Sequence, residues 1–111
     1  MVEIRYGNFF NHWQKLEPES FDLILSDPPY NCLQETQPWD VELDWENLEM
    51  IFTNLLKPNG QIILFCNSHL FVKIYSAFNN LLKFIYCHYW EKQGMPVNPT
   101  MPIQEIEIIA L

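Results

Sequence analysis

Asp27-Pro28-Pro29-Tyr30 joins an acid, two prolines and an aromatic ring at the end of an apolar run, Phe21-Asp22-Leu23-Ile24-Leu25. The prolines fix φ at positions 28 and 29 and push Asp27 and Pro28 toward extended geometry, so this corner is stiff. Such a corner projects the Asp27 carboxylate and the Pro28 carbonyl together as two acceptors, with the Tyr30 ring beside them. Paired acceptors next to an aromatic face suit an exocyclic amine on a flat base. That nitrogen's lone pair is delocalised into its ring. Hydrogen bonds to Asp27 and Pro28 would hold it and favour the pyramidal form it takes while attacking an electrophilic methyl group. Tyr30 would stack on the base once it had left a duplex. Catalysis of this kind is positioning plus electrostatics, with no covalent enzyme intermediate. The plain alternative is a strand followed by a proline turn carrying a solvent-facing acid.

The elements that must position this corner can be read from periodicity. Residues 22–26 predict a buried strand of an α/β sheet, and the acid–proline corner lies past its carboxyl end, where open α/β sheets place ligands. Val2 to Tyr6 alternates and predicts a short strand, broken by Gly7-Asn8, with Asn8 capping a helix from Phe9 to about Leu16. Glu17-Pro18-Glu19-Ser20 reads as a turn. Beyond the corner, Asn31 to Asp44 reads as a loop with Trp39 and Trp45 as core anchors. Leu48, Ile51, Phe52, Leu55 and Leu56 have helical spacing within 43–56, ended by Lys57-Pro58-Asn59-Gly60. Gln61 to Cys66 predicts a second buried strand, with Asn67-Ser68 either at the ligand end or capping a helix over 69–82. Strands are predicted over 84–90 and 103–111, the latter with Glu105 and Glu107 on one face.

Composition narrows the function classes. The chain of 111 residues reads as one domain, and a hydrophobic fraction of 49% supports a packed core. Six Lys+Arg against 14 Asp+Glu give a formal charge of −8. No basic run is available to grip a nucleic acid backbone, which argues against tight DNA binding by this segment alone. Cys32, Cys66 and Cys87 are far apart and His12, His69 and His88 lack ligand spacing, so free thiols and no metal site are expected. With no signal pattern and no run of membrane-spanning length, a soluble cytoplasmic location is expected.

The segment Asp-Pro-Pro-Tyr resembles the catalytic motif of amino-methyltransferases that use S-adenosylmethionine, more narrowly of DNA adenine methyltransferases. RYGNFFNHWQKLEPESFDLILSDPPYN is similar to that family's opening, LLKPNGQIILFCN to its next helix end and strand, and YWEKQ with PIQEIEIIAL to its late strands. The resemblance spans almost the whole chain, with the proline corner the specific part. It implies a Rossmann-like α/β methyltransferase fold, with S-adenosylmethionine as cofactor and adenine N6 in DNA as acceptor. Asp27, Pro28, Pro29 and Tyr30 would be catalytic, and Asn8 and Asp27 would contact cofactor. Tyr30, Asn31 and Lys92 would contact substrate, with a surface lysine the alternative for Lys92. The family commonly has Asp where Asn8 stands, so a cap and nothing more is an equal reading of Asn8. Cytosine N4 is disfavoured, because related enzymes for that atom generally have Ser in place of Asp27.

The resemblance also implies a gap. The glycines, Gly7, Gly60 and Gly94, are isolated, and no Gly-rich turn offers a pocket for the cofactor. In a permuted branch of the family the proline-motif half comes first, followed by the recognition domain and the cofactor half. The expectation is therefore a catalytic half whose cofactor half is largely missing, over a single partial domain, 1–111. It would meet DNA through a recognition domain outside the chain. It would also need a complementing polypeptide or form a homo-oligomer, since the family places two further strands between 2–6 and 22–26. A non-catalytic subunit of a restriction–modification complex, or a methyltransferase for RNA or a protein amide, are the alternatives.

Overall fold

The computed structural model describes residues 1–30, 38–78, 80–90 and 105–110. Four strands form one sheet: β1 (Phe21–Ser26), β2 (Leu56–Cys66), β3 (Phe84–Trp90) and β4 (Glu105–Ala110), in the order β1-β2-β4-β3. β1 and β2 run parallel, and β4 lies antiparallel to both β2 and β3. The helices are α1 (Phe9–His12), continued by a 3-10 turn at Trp13–Lys15, then α2 (Trp45–Leu55) and α3 (Ser68–Ala77). α2 makes the crossover between the parallel β1 and β2. α3 leads from β2 to β3, leaving room for β4 to enter between them.

The core lies on one face of this sheet. Ile62, Leu64 and Cys66 alternate inward along β2 and meet Trp45, Leu48, Ile51, Phe52 and Leu55 of α2 and Leu70 and Ile74 of α3. That i, i+3, i+4, i+7 stripe is why α2 forms where its periodicity predicts it. Asp44 starts it by accepting the Asn47 N–H on its side chain at 3.1 Å.

Four elements differ from expectation. β1 forms where predicted but is not buried: Leu23 and Leu25 are 46% and 61% exposed, since the strand stands at the edge of the sheet among the described residues. Residues 2–6 form no strand and Val2, Ile4 and Tyr6 are exposed, because alternation makes a strand only where a neighbour accepts its hydrogen bonds. α3 stops at Ala77 rather than near 82. Beyond it, the Leu81 and Leu82 N–H groups donate to the buried Glu49 carboxylate of α2, at 3.2 and 3.3 Å, instead of to helix carbonyls. β2 begins at Leu56, not Gln61: its pairing jumps from Phe21↔Leu56 to Leu23↔Gln61, so 57–60 bulge outward within the strand. Gly60 permits this; a Cβ there would stand 2.8 Å from Leu56 Cδ2. Trp45 anchors the core as expected, but Trp39 does not, being 61% exposed.

Candidate active site

β1 sets the site's position and its end sets its chemistry. The start of β1 is tied to the end of α2, where Glu19 and Ser20 N–H groups donate to the carbonyls of Asn54 and Leu55 at 2.9 and 3.1 Å. Across the bulge, Lys57 Nζ lies 3.1 Å from Asp22 Oδ1. The strand ends at Ser26, and the residues that follow leave the sheet at the same end as the carboxyl terminus of the parallel β2. Asp27 is exposed, Pro28 buried, and Pro29 and Tyr30 half-buried. The Tyr30 hydroxyl donates to Asp27 Oδ1 at 2.9 Å, while Tyr30 also packs against the core. This bond adds a second restraint to a corner the prolines already stiffen.

Asn8 reaches the same place from the other side. Gly7 has φ +131°, a conformation L side chains rarely adopt, and a Cβ there would stand 2.5 Å from His12 Nε2. That turn places Asn8 at the N-terminus of α1, where its side-chain oxygen accepts the Phe10 N–H at 3.0 Å. Asn8 is thus a helix cap, and its amide nitrogen remains as a donor. Asn8, Asp27, Pro28 and Pro29 line one open cleft of about 550 Å³. The volume falls in the range of small-molecule sites. Its walls are mostly apolar: Phe9 and Phe10 of α1 on one side, Leu23 to Leu25 of β1 on the other, and Trp45, Leu48 and Phe52 of α2 beneath.

The structure therefore brings together Asn8 and the Asp27–Pro29 corner, some twenty residues apart in the chain, with Tyr30 bonded to Asp27. Asn31 and Lys92 lie outside the described residues. Asn67, at the equivalent end of β2, is a cap: its side-chain oxygen accepts the Leu70 N–H at 2.8 Å. Phe9 and Phe10 are cleft residues that the sequence reading took only as helix. Their signal was two adjacent large aromatics directly after a cap, more apolar surface than one short helix buries. Among the described residues no group of three His, Cys, Asp or Glu could hold a metal ion, and no helix is long and apolar enough to cross a membrane. Cys66 is buried and Cys87 half-buried, and neither forms a disulfide.

No protein-family model and no curated protein matches the sequence. Among solved structures, the crystal structure of the M1.HpyAVI–SAM complex matches with a TM-score of 0.71 at 22% identity, over 99% of this chain and 53% of that one. The chain shares the Rossmann-like α/β fold of that structure. The chain spans about half the length of the structure it matches. The proline corner sits past the carboxyl end of β1, the strand end where open α/β sheets place their ligands.

Proposed function

We propose that this chain supplies the amine-positioning half of an S-adenosylmethionine-dependent DNA methyltransferase acting on adenine N6. The observation that carries the reading is the exposed Asp27 carboxylate, braced by Tyr30 and two prolines, on the rim of the cleft that Asn8 also lines. Asp27 and the Pro28 carbonyl accept the two N–H groups of the target amine and fix its lone pair toward the cleft. Tyr30 presents its ring to the extruded base and its hydroxyl to Asp27. As nitrogen bonds to the transferred methyl, positive charge grows on it, and the carboxylate stabilises that charge and receives the released proton or passes it to water. S-adenosylmethionine, when bound, supplies the electrophilic methyl group. Asn8 and the apolar walls of Phe9 and Phe10 are the residues present that would hold its adenosine part, the flat base against the rings and the Asn8 amide as donor.

Support for the cofactor comes from the fold shared with a SAM-bound structure and from a cleft of suitable size beside Asp27. DNA as the partner, met through a recognition domain carried elsewhere, agrees with a chain whose formal charge of −8 would by itself repel a duplex. The same half-length span and acidic charge favour one second reading, a non-catalytic subunit of a methyltransferase complex. Labelled methyl transfer from S-adenosylmethionine to adenine-containing DNA separates the two, measured with the chain alone and with a complementing cofactor half. Catalysis predicts transfer that Asp27→Asn lowers by about 10²–10³-fold. Complexes that assemble, bind cofactor and transfer nothing would leave the subunit reading.

A further inference from the structure

The turn that carries Asn8 to the cleft is backed by a side chain that does not itself line the cleft. Residues 1–9 are exposed, and the segment is fastened to the core only further on, through Phe10, Trp13 and Leu16. Helical side chains lean toward the helix N-terminus, over the turn before their own Cα. His12, the last residue of α1, does this, and its imidazole lies over Gly7. The three atoms nearest to where a Gly7 Cβ would stand all belong to that ring: Nε2 at 2.5 Å, Cδ2 at 3.0 Å and Cε1 at 3.7 Å. His12 has already left helical geometry, with φ −124° and ψ −18°, and is half-buried. Gly7 supplies both halves of the fit: a backbone at φ +131° and a bare Cα that the ring can approach.

We propose that His12 is a positioning residue: its ring, seated on Gly7, fixes the turn that presents Asn8 and Phe9 to a nucleoside in the cleft. This role rests on the proposed cofactor site, because the ligand meets Asn8 and Phe9 and never His12. Two hydrogen bonds already hold Asn8. Its side-chain oxygen accepts the Phe10 N–H at 3.0 Å, and its carbonyl accepts the Asn11 N–H at 3.0 Å. Both tie Asn8 forward, into α1. Neither restrains the chain before it, where Met1 to Tyr6 are exposed. His12 closes the turn from that side. Without the ring, Gly7 is a hinge with the widest backbone freedom of any residue. The Asn8 amide would then have to be ordered when the ligand binds, which lowers affinity. A histidine that merely packed would change stability and leave binding untouched.

The test is NMR titration of the isotope-labelled full chain with S-adenosylmethionine, which also reads weak binding. His12→Ala, folded by circular dichroism, is expected to weaken binding about tenfold, and Asn8→Ala by a similar factor. Because His12 acts through Asn8, the double variant binds no more weakly than Asn8→Ala alone. His12→Gln, which returns a polar atom near the Nε2 position, recovers most of the loss. In the ligand-free chain, Gly7→Ala disturbs the Phe10 and Asn11 amide resonances less in the His12→Ala background, where the colliding ring is gone. Unchanged binding by His12→Ala, or losses that add in the double variant, would overturn the role of His12 while leaving the cofactor site in place. A native chain that binds no S-adenosylmethionine would instead overturn the cofactor site, and the role of His12 with it.

Discussion

Residues 45–82 and residues 1–30 are held by different physics. Apart from Pro28, every buried apolar side chain among the described residues lies between Trp45 and Leu82. α1 and its 3-10 turn bury nothing completely, and β1 only half-buries Ile24 and Ser26. The first region is stabilised by packing, where each methyl group has neighbours on all sides. The second is stabilised by local restraints: a glycine turn, an Asn8 cap, two prolines and one tyrosine–aspartate hydrogen bond. A corner built this way is held by near neighbours while the strand before it stays largely exposed. Burial concentrates stability in 45–82, and the candidate site lies where burial is least.

Substitutions can sharpen or break this contrast. Ile51→Ala, at a fully buried position of α2, is expected to cost about 2–5 kcal/mol by denaturant unfolding. A loss below about 1 kcal/mol would mean that α2 is not the centre of the core. Glu49→Ala should cost about 1–3 kcal/mol, because Glu49 is 3% exposed and its removal orphans the N–H groups of Leu81 and Leu82. Amide exchange at those two residues should quicken first.

Cys66 makes the same region sensitive to base. Burial, and secondarily Cys87, pushes its thiol from 9.0 up to about 12. The unfolded chain therefore loses this proton near pH 9 while the folded chain keeps it. The stability contributed by the buried neutral thiol is full below pH 9 and is lost progressively as pH rises toward 12. Cys66→Ala should flatten that part of the stability profile, and native Cys66 should resist alkylation at pH 8. The smallest effect belongs to β1: Leu25→Ala should change the isolated chain's stability by less than about 0.5 kcal/mol. A larger loss would show that β1 is packed in solution and the contrast is wrong.

The structural features legible in the chain are those governed by near neighbours. The Asp27–Tyr30 corner, the apolar run before it, the Asn8 cap and the α2 stripe each follow from a few adjacent side chains. Residues 2–6 misled because alternation reports a capacity to pair, and pairing needs a strand from elsewhere. The end of α3 was hidden because Glu49, more than thirty residues earlier, takes the amides that would have prolonged it.

From local chemistry alone, then, the chain specified a stiff acid–proline–aromatic corner after an apolar strand, and a cap with its helix before it. Folding in three dimensions settled that β4 enters between β2 and β3, that Asn8 and Asp27 share one cleft, and that β1 stands at the edge of the sheet among the described residues. The physical division is between torsional and capping preferences, which act over a few residues, and strand pairing and burial, which depend on partners distant in sequence.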